Sequence, residues 1–184
     1  MLCLAAAAAA APLDNDSIKT AVAAWLSDSA AAEVTYGHIT SWDTSQVTDM
    51  SSLFCAHHSL SSCNTAALSF NEDIGTWDTS GVTSMYAMFG SNEGFNRDLS
   101  DWAVDSVTDM SYMFSYARSF NQDLGWCVDD GANLDYAFSS TLCESTSCGV
   151  TQGGCASWFG SDAAPKTQFT SFGALLGAAA LLML

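Results

Sequence analysis

Basic side chains are scarce in this sequence, which has four Lys and Arg against twenty Asp and Glu and a formal net charge of −16. Proteins bind nucleic acids and anionic lipid headgroups mainly through Lys and Arg. The charge balance therefore excludes both as partners. An acidic surface favours solubility, and it suits an exterior medium that contains salt or calcium.

Familiar catalytic motifs are also missing. The sequence has no Gly-rich phosphate loop, no His-Glu-x-x-His and no Gly-x-Ser-x-Gly. His38, His57 and His58 have no evident Ser or Cys partner for nucleophilic catalysis. Carboxylate pairs such as Asp129 with Asp130 leave a glycosidase-like dyad open, but most acids recur with a structural period, as turn residues do. The sequence therefore predicts a protein that is not an enzyme and uses no cofactor.

What the sequence does contain is a repeat, seen most clearly in residues 107–126. One Phe and one Trp mark each unit, and both markers recur in steps of 35, 25 and 24 residues. The markers are Phe54, Phe89, Phe114 and Phe138, and Trp42, Trp77, Trp102 and Trp126. Self-similarity at such a period is typical of stacked-repeat proteins, and the long step is a normal unit with about ten inserted residues.

The apolar pattern within a unit suggests one helix and one strand. Met110, Met113, Phe114 and Ala117 lie at i, i+3, i+4 and i+7, which favours a helix. Residues 121–126 are too few for a helix and are interpreted as a short strand. The predicted fold class is an α/β repeat: a short leucine-rich-repeat-like solenoid of about 3–4 coils, with an N-terminal helical cap and a Cys-rich C-terminal cap.

Composition divides the chain into five predicted regions. They are a signal peptide (1–12), an N-terminal helical cap (13–38), the repeats (39–138) with an insertion at 55–68, a Cys-rich cap (139–160), and a polar spacer with a hydrophobic tail (161–184).

The N-terminal region combines an alanine-rich leader with an amphipathic segment. The leader is similar to a signal-peptide core but lacks a basic start, so a truncated gene start or a plain leader remains open. Residues 14–28 are predicted to form a helix that covers the first repeat or binds a partner. Its apolar stripe comprises Ile18, Ala21, Val22, Trp25 and Leu26.

A recurring Asn-x-Asp motif has two interpretations. It comprises Asn71, Asn96 and Asn121 with Asp73, Asp98 and Asp123. The favoured interpretation is a structural ladder in which Asn side chains satisfy the backbone of the neighbouring unit. A calcium site is the alternative, but Ca²⁺ takes six or more oxygens, which this motif alone does not supply.

Six of the seven cysteines follow the leader, an even number that favours disulfides in an oxidising compartment. The candidates are Cys55, Cys63, Cys127, Cys143, Cys148 and Cys155. We expect Cys55 to pair with Cys63, although zinc binding and free thiols remain alternatives. Pairings of Cys143 with Cys148 and of Cys127 with Cys155 are guesses among fifteen connectivities.

Two further stretches have predicted roles. The insertion is a possible binding loop that presents His57, His58 and Leu60, because repeat proteins place specificity in such loops. Residues 169–184 are apolar but shorter than the roughly 20 residues of a membrane span. With the spacer they match a glycosylphosphatidylinositol (GPI) signal, with attachment at Ser161 or Asp162. A short membrane tail and a buried helix are the alternatives.

The repeats resemble those of BspA-like leucine-rich-repeat surface proteins, in the variant found in Mycoplasma lipoproteins and in surface proteins of bacteria and unicellular algae. The shared pattern stands here in residues 77–89 and 119–124, and the resemblance covers residues 39–138. The insertion and residues 103–105 and 125–127 depart from it. The resemblance implies an extracellular protein with a role in attachment, and it offers no catalytic residues.

The sequence thus predicts a cell-surface or secreted repeat protein that binds an extracellular protein or glycan and mediates adhesion. We expect it to be attached to the membrane by the C-terminal lipid anchor or short tail. Two alternatives remain open at this stage, a passive coat or wall component and a calcium-dependent binding module.

Overall fold

The computed structural model describes residues 11–155, so most of the leader and the whole hydrophobic tail lie outside the described residues. Helix α1 spans Asn15–Ser27 and helix α2 spans Ser29–Tyr36. Short 3₁₀ helices span Ile39–Ser41, Thr65–Ser69 and Glu144–Gly149. Strands β1 (Cys127–Val128) and β2 (Thr151–Gln152) pair in parallel, with Cys127 opposite Thr151.

The helix expected over residues 14–28 is present as α1. Its buried face consists of Ile18, Ala21, Val22 and Trp25. The Asp14 side chain accepts hydrogen bonds from the backbone N–H groups of Asp16 and Ser17, which satisfies two of the unpaired donors at the helix start. Helix α2 was not anticipated, because Ala32 is its only buried residue and its sequence carries no apolar stripe.

The predicted leucine-rich-repeat-like solenoid is wrong. Among the described residues the only sheet is the open pair of two short parallel strands, β1 and β2. The helix predicted over 110–117 is absent, and these residues form consecutive turns. The strand predicted over 121–126 is absent as well. The described repeats therefore contain neither a helix nor a strand per unit, and the α/β repeat assignment fails with them.

Left-handed backbone conformations explain why the apolar stripe forms turns. Tyr112 and Tyr116 have φ of 58° and 61°, and the equivalent Ala87 and Ser91 have φ of 48° and 58°. A non-glycine residue in this region interrupts a right-handed helix. The side chains that lie at i, i+3 and i+4 in the sequence nevertheless meet in the fold. Turns closed by i→i+3 hydrogen bonds, such as the bond from the Met113 N–H to the Met110 carbonyl, bring them together.

The amide groups that a helix would use internally bond instead to the following unit. The N–H groups of Met85, Ala87 and Phe89 donate to the carbonyls of Asp109, Ser111 and Met113, at 2.8–2.9 Å. Isolated parallel bridges join Asp49 to Ser84, Ser84 to Asp109, and Asp109 to Asn133. Equivalent residues of successive units are therefore neighbours in space.

Stacked aromatic rings fill the core along the same direction. Phe54, Phe89, Phe114 and Phe138 form one row with centroid distances of 5.6, 5.2 and 5.9 Å. Phe70, Phe95 and Phe120 form a second row at 6.2 and 6.1 Å. The Trp markers form a third set of rings in the core. Their indole N–H groups donate to backbone carbonyls: Trp77 to Ile39, Trp102 to Ile74, and Trp126 to Leu99. A buried indole needs such an acceptor.

Many turns are fixed by an aspartate that accepts from the residue two positions later. Asp43 and Asp78 each accept from the hydroxyl and the backbone N–H of a serine, Ser45 and Ser80. These bonds lower the pKa of both carboxyl groups, the side-chain bond contributing most. The recurring acids therefore serve as turn caps in the folded chain.

We expect Phe89→Ala to destabilise the fold strongly. Phe89 is fully buried and contacts Phe54, Phe95 and Phe114. Removing a buried Phe ring costs about 3–5 kcal/mol, and urea denaturation measures the loss. Asn92→Ala is the control, because the Asn92 Nδ2 has no hydrogen-bond partner among the described residues and Ala117 occupies the equivalent position. It should cost about 1 kcal/mol or less, and equal losses for both variants would contradict the ring-stack account.

Candidate binding groove

The insertion at residues 55–68 contains a loop whose ends are joined to each other. A disulfide joins Cys55 to Cys63, and the Asn64 N–H donates to the Cys55 carbonyl at 2.8 Å. The Asn64 side chain then accepts from the Ala66 N–H at 3.0 Å and begins the 3₁₀ helix Thr65–Ser69. Because both ends of the loop are held, the residues between them keep a defined position.

The three residues predicted to form a binding loop lie at its outer part. His57 and His58 stack on each other with ring centroids 5.2 Å apart, and the His57 Nδ1 accepts from the Ser59 N–H at 3.3 Å. The Leu60 side chain is 42% exposed. His38 lies elsewhere, against Trp25 and Thr40.

A cavity of about 290 Å³ separates this loop from the following repeats. We call it the loop groove, and its principal lining residues are His57, Leu60, Tyr86, Tyr112, Ser115 and Tyr116. His57 and Leu60 form one wall, and residues of the second and third repeats form the other. Its lining is mainly apolar and aromatic with a few hydroxyl groups, which is typical of binding pockets.

A set of tyrosines continues from this groove, and we call Tyr86, which is half-buried, and the exposed Tyr112 and Tyr136 the tyrosine row. Tyr86 meets Tyr112 edge to face at 6.2 Å, and Tyr112 stacks on Tyr136 at 5.1 Å. Tyr112, Tyr116 and Tyr136 expose 40%, 49% and 62% of their surface. Large aromatic residues that remain exposed next to one another mark an interaction surface.

Sequence reasoning missed the tyrosine row. Tyr112 and Tyr136 occupy the left-handed position of their units, whereas Tyr86 lies one position earlier in its own unit. The pattern of the repeats therefore does not align the three residues. In the predicted helix Tyr112 lies at i+2 from Met110, off the apolar stripe, so a helix would also have placed its ring outside. The sequence does not indicate that this ring stacks on Tyr136, because that contact joins residues of two different units.

A second cavity, of about 450 Å³, lies between α1 and the first repeat. Lys19, Val22 and Leu26 of α1 line one side, and Leu53 and Asn64 are among the residues opposite. Tyr86 lines both cavities, so this helix groove adjoins the loop groove. The Lys19 ammonium forms an ion pair with Asp49 at 3.1 Å. The rest of the helix groove has a mainly apolar lining.

The Asn residues interpreted as a structural ladder bond to one another's backbone at the surface. The Asn71 Oδ1 accepts from the Asn96 N–H, and the Asn96 Oδ1 from the Asn121 N–H, both at 3.0 Å. The pattern is the predicted one, but the bonds are exposed, whereas the ladder was expected to satisfy buried groups. Asp73 and Asp98 cap their own turns through Gly75 and Ser100. The Asp123 side chain lies against Gly149, whose φ of 77° suits a glycine.

The remaining cysteines pair near the end of the described chain. Cys127 is joined to Cys155 and Cys143 to Cys148, so the structure contains the expected Cys55–Cys63 bond and also the two pairings that were guesses among fifteen connectivities. Asp129 of the acidic pair caps Gly131, and Asp130 lies against Gly153. The suggested lipid-attachment residues, Ser161 and Asp162, lie outside the described residues.

The described residues contain neither a cluster of metal ligands nor a helix that could span a membrane. Residues 11–155 contain no group of three or more His, Cys, Asp or Glu side chains placed to hold a metal ion. Within the same residues, neither helix has the length and apolar character needed to cross a membrane.

We expect replacement of Cys55 and Cys63 by serine to release the loop. A disulfide that closes a loop of this length stabilises by about 2–3 kcal/mol in the chain-entropy description. Urea denaturation should show that loss, and limited proteolysis should show new cleavage near His58. The matched change at Cys143 and Cys148 should also lower stability but leave the insertion uncut. An insertion that remains resistant without its disulfide would contradict the proposed role of the bond.

Comparison with known proteins gives one match. The profile of the family described as "Mycoplasma protein of unknown function, DUF285" matches residues 26–147, which include all the repeat markers. No curated protein and no solved structure matches the chain. Because the match covers about two thirds of the sequence and every repeat, the chain belongs to this DUF285 family of Mycoplasma-type proteins.

Proposed function

We propose that the chain is a non-catalytic binding protein of the cell exterior, which mediates attachment through the loop groove and the tyrosine row. The observation that carries this proposal is the exposed tyrosine cluster placed directly against a disulfide-held insertion. Tyr residues contribute a large share of binding energy in many interfaces. A loop fixed before binding also loses less conformational entropy when the partner arrives.

The proposal of an extracellular location rests on the disulfides and on the resemblance of the repeats. Three disulfides among the described residues fit an oxidising compartment. The resemblance to BspA-like surface proteins supports attachment as the role. The relation proposed here concerns repeat sequence and surface location, since the described residues do not have the leucine-rich-repeat architecture.

Binding of the labelled full-length chain to intact cells, and to arrays of extracellular proteins and glycans, tests the function. Changing His57, His58 and Leu60 to serine, or Tyr112 and Tyr116 to alanine, should weaken binding by about tenfold or more. Both sets of residues are at least partly exposed, so urea denaturation should show little change in stability. Val34→Ser is the control, because Val34 is 89% exposed on α2 and lines neither groove. Undiminished binding of both groove variants would refute the proposal.

We also propose that a lipid anchor near Ser161 or Asp162 attaches the protein to the membrane. The support is the sequence alone, a polar spacer followed by an apolar tail. Phosphatidylinositol-specific phospholipase C should release the protein from intact cells, and mass spectrometry should show that the tail is missing. Retention on the cells with the tail intact would leave the short membrane tail as the better interpretation.

A further inference from the structure

We infer that the loop groove receives an extended, basic segment of a partner protein, with a Lys or Arg side chain lying between Leu60 and the rings of Tyr112 and Tyr116. This inference rests on the proposed function and names the class of partner for the same surface.

The first argument is the shape and chemistry of the groove. Its two walls present an exposed leucine and exposed tyrosine rings, with the Ser115 residue between Tyr112 and Tyr116 in sequence also lining it. The long aliphatic stem of Lys or Arg packs on apolar surface while its charged end remains hydrated. An Arg or Lys cation over a tyrosine ring adds a direct electrostatic attraction.

The second argument is the charge that surrounds the groove. Of the charged residues, only Asp162 and Lys166 lie outside residues 11–155, so the described part keeps the net charge of −16. All three of its basic side chains already have partners: Lys19 with Asp49, Arg118 with Glu93, and Arg97 with the Asn71 carbonyl. A basic partner would supply the missing positive charge and would be steered towards this surface.

Acidic residues also lie next to the tyrosines themselves. Asp135 precedes Tyr136, and its carbonyl accepts from the Tyr112 N–H at 2.9 Å. Glu144 accepts from the Ser140 N–H at 2.9 Å, and the neighbouring Ser139 carbonyl accepts from the Tyr116 N–H. Both carboxylates belong to exposed residues. Asp135 and Glu144 do not line the groove, but they add two exposed carboxylates to the segments bonded to Tyr112 and Tyr116, and Arg118, two residues after Tyr116, is held in an ion pair.

The arrangement of the rings argues against a neutral glycan as the partner. A sugar chain that stacks on aromatic residues needs ring faces that are open and side by side. Here Tyr112 stacks on Tyr136 with planes 21° apart, and it meets Tyr86 edge to face. Tyr116 is the groove tyrosine without an aromatic neighbour among the described residues, so the groove offers one open ring face to a single cation but no row of faces to a sugar chain. A neutral sugar would also gain nothing from the acidic surroundings.

Fluorescence anisotropy with the full-length chain tests this inference. The probes are a short labelled peptide of alternating Gly and Arg and a Gly-Gln peptide of the same length. The Gly-Arg peptide should bind, and more weakly at high salt, because salt screens exposed charges. The Gly-Gln peptide should not bind measurably. Equal binding of both peptides would overturn the role of charge.

Two pairs of variants separate the groove from general attraction to an acidic protein. Changing Tyr112 and Tyr116 to alanine leaves the net charge unchanged and should weaken binding about tenfold, whereas changing both to phenylalanine should preserve it. Changing Asp135 and Glu144 to their amides should weaken binding more than the same change at Asp101 and Asp105. None of the four lines either groove, but the segments that carry Asp135 and Glu144 are bonded to Tyr112 and Tyr116, whereas Asp101 and Asp105 belong to a different segment. Equal loss from both acid pairs, or no loss from the alanine pair, would overturn the inference.

A neutral β-glucan oligosaccharide serves as the competitor. If it displaces the peptide or binds with the same dependence on the tyrosines, the partner is a glycan. In that outcome the basic-partner inference fails while the proposed binding function stands. If cell and array binding is also indifferent to every groove variant, the proposed function fails as well.

Discussion

The rest of the structure depends on the contacts that hold each repeat in register with the next one. The backbone N–H groups of alternate turn residues donate to the following unit, and the Phe and Trp rings stack in the same direction. Neither contribution is available to a single unit, which would leave its amide groups unpaired and its rings in water. The left-handed turns depend on these contacts too, because the N–H of Tyr112 is held by the Asp135 carbonyl of the neighbouring unit. Unfolding of one unit should therefore expose the core of the units on both sides of it.

The two grooves follow from one departure from this regularity. The insertion interrupts the first repeat, and its disulfide and Asn64 hold it over the surface of the units that follow. In the loop groove, the second and third repeats form an aromatic wall, and the insertion forms the opposite wall with different side chains. The proposed binding surface therefore lies where the insertion interrupts the repeats. The stacked rings that stabilise the fold are buried beneath it and do not contact a partner.

Sequence reasoning predicted the elements that depend on local composition or on spacing. The repeat markers, helix α1 and the Cys55–Cys63 disulfide belong to this class, since each leaves a signal in residue identity. The other two pairings were guesses, because the order of cysteines along the chain does not determine which of them meet in the fold. It failed for residues 110–117, because a series of i→i+3 turns keeps the same side-chain spacing as a helix. Nothing in Tyr112 or Tyr116 indicates a positive φ, since Gly and Asn are the usual residues there. The tyrosine row was missed for another reason, because its ring contacts join residues of different units and no spacing within one unit indicates them.

The left-handed positions of the turns have a consequence for how the surface can evolve. Ser52, Ala87, Tyr112 and Tyr136 occupy the same left-handed place in successive units. The first three donate their backbone N–H groups to the following unit, and these bonds do not involve their side chains. The fold thus accepts a hydroxymethyl, a methyl or a phenol at one site. Substitutions at the exposed members of this set can therefore change the recognition surface of one unit while the aromatic stacks beneath retain their sequence. Divergence among descendants of this gene should accordingly concentrate at the exposed Tyr112 and Tyr136 and spare the Phe and Trp markers, whereas Ser52 and Ala87 are buried.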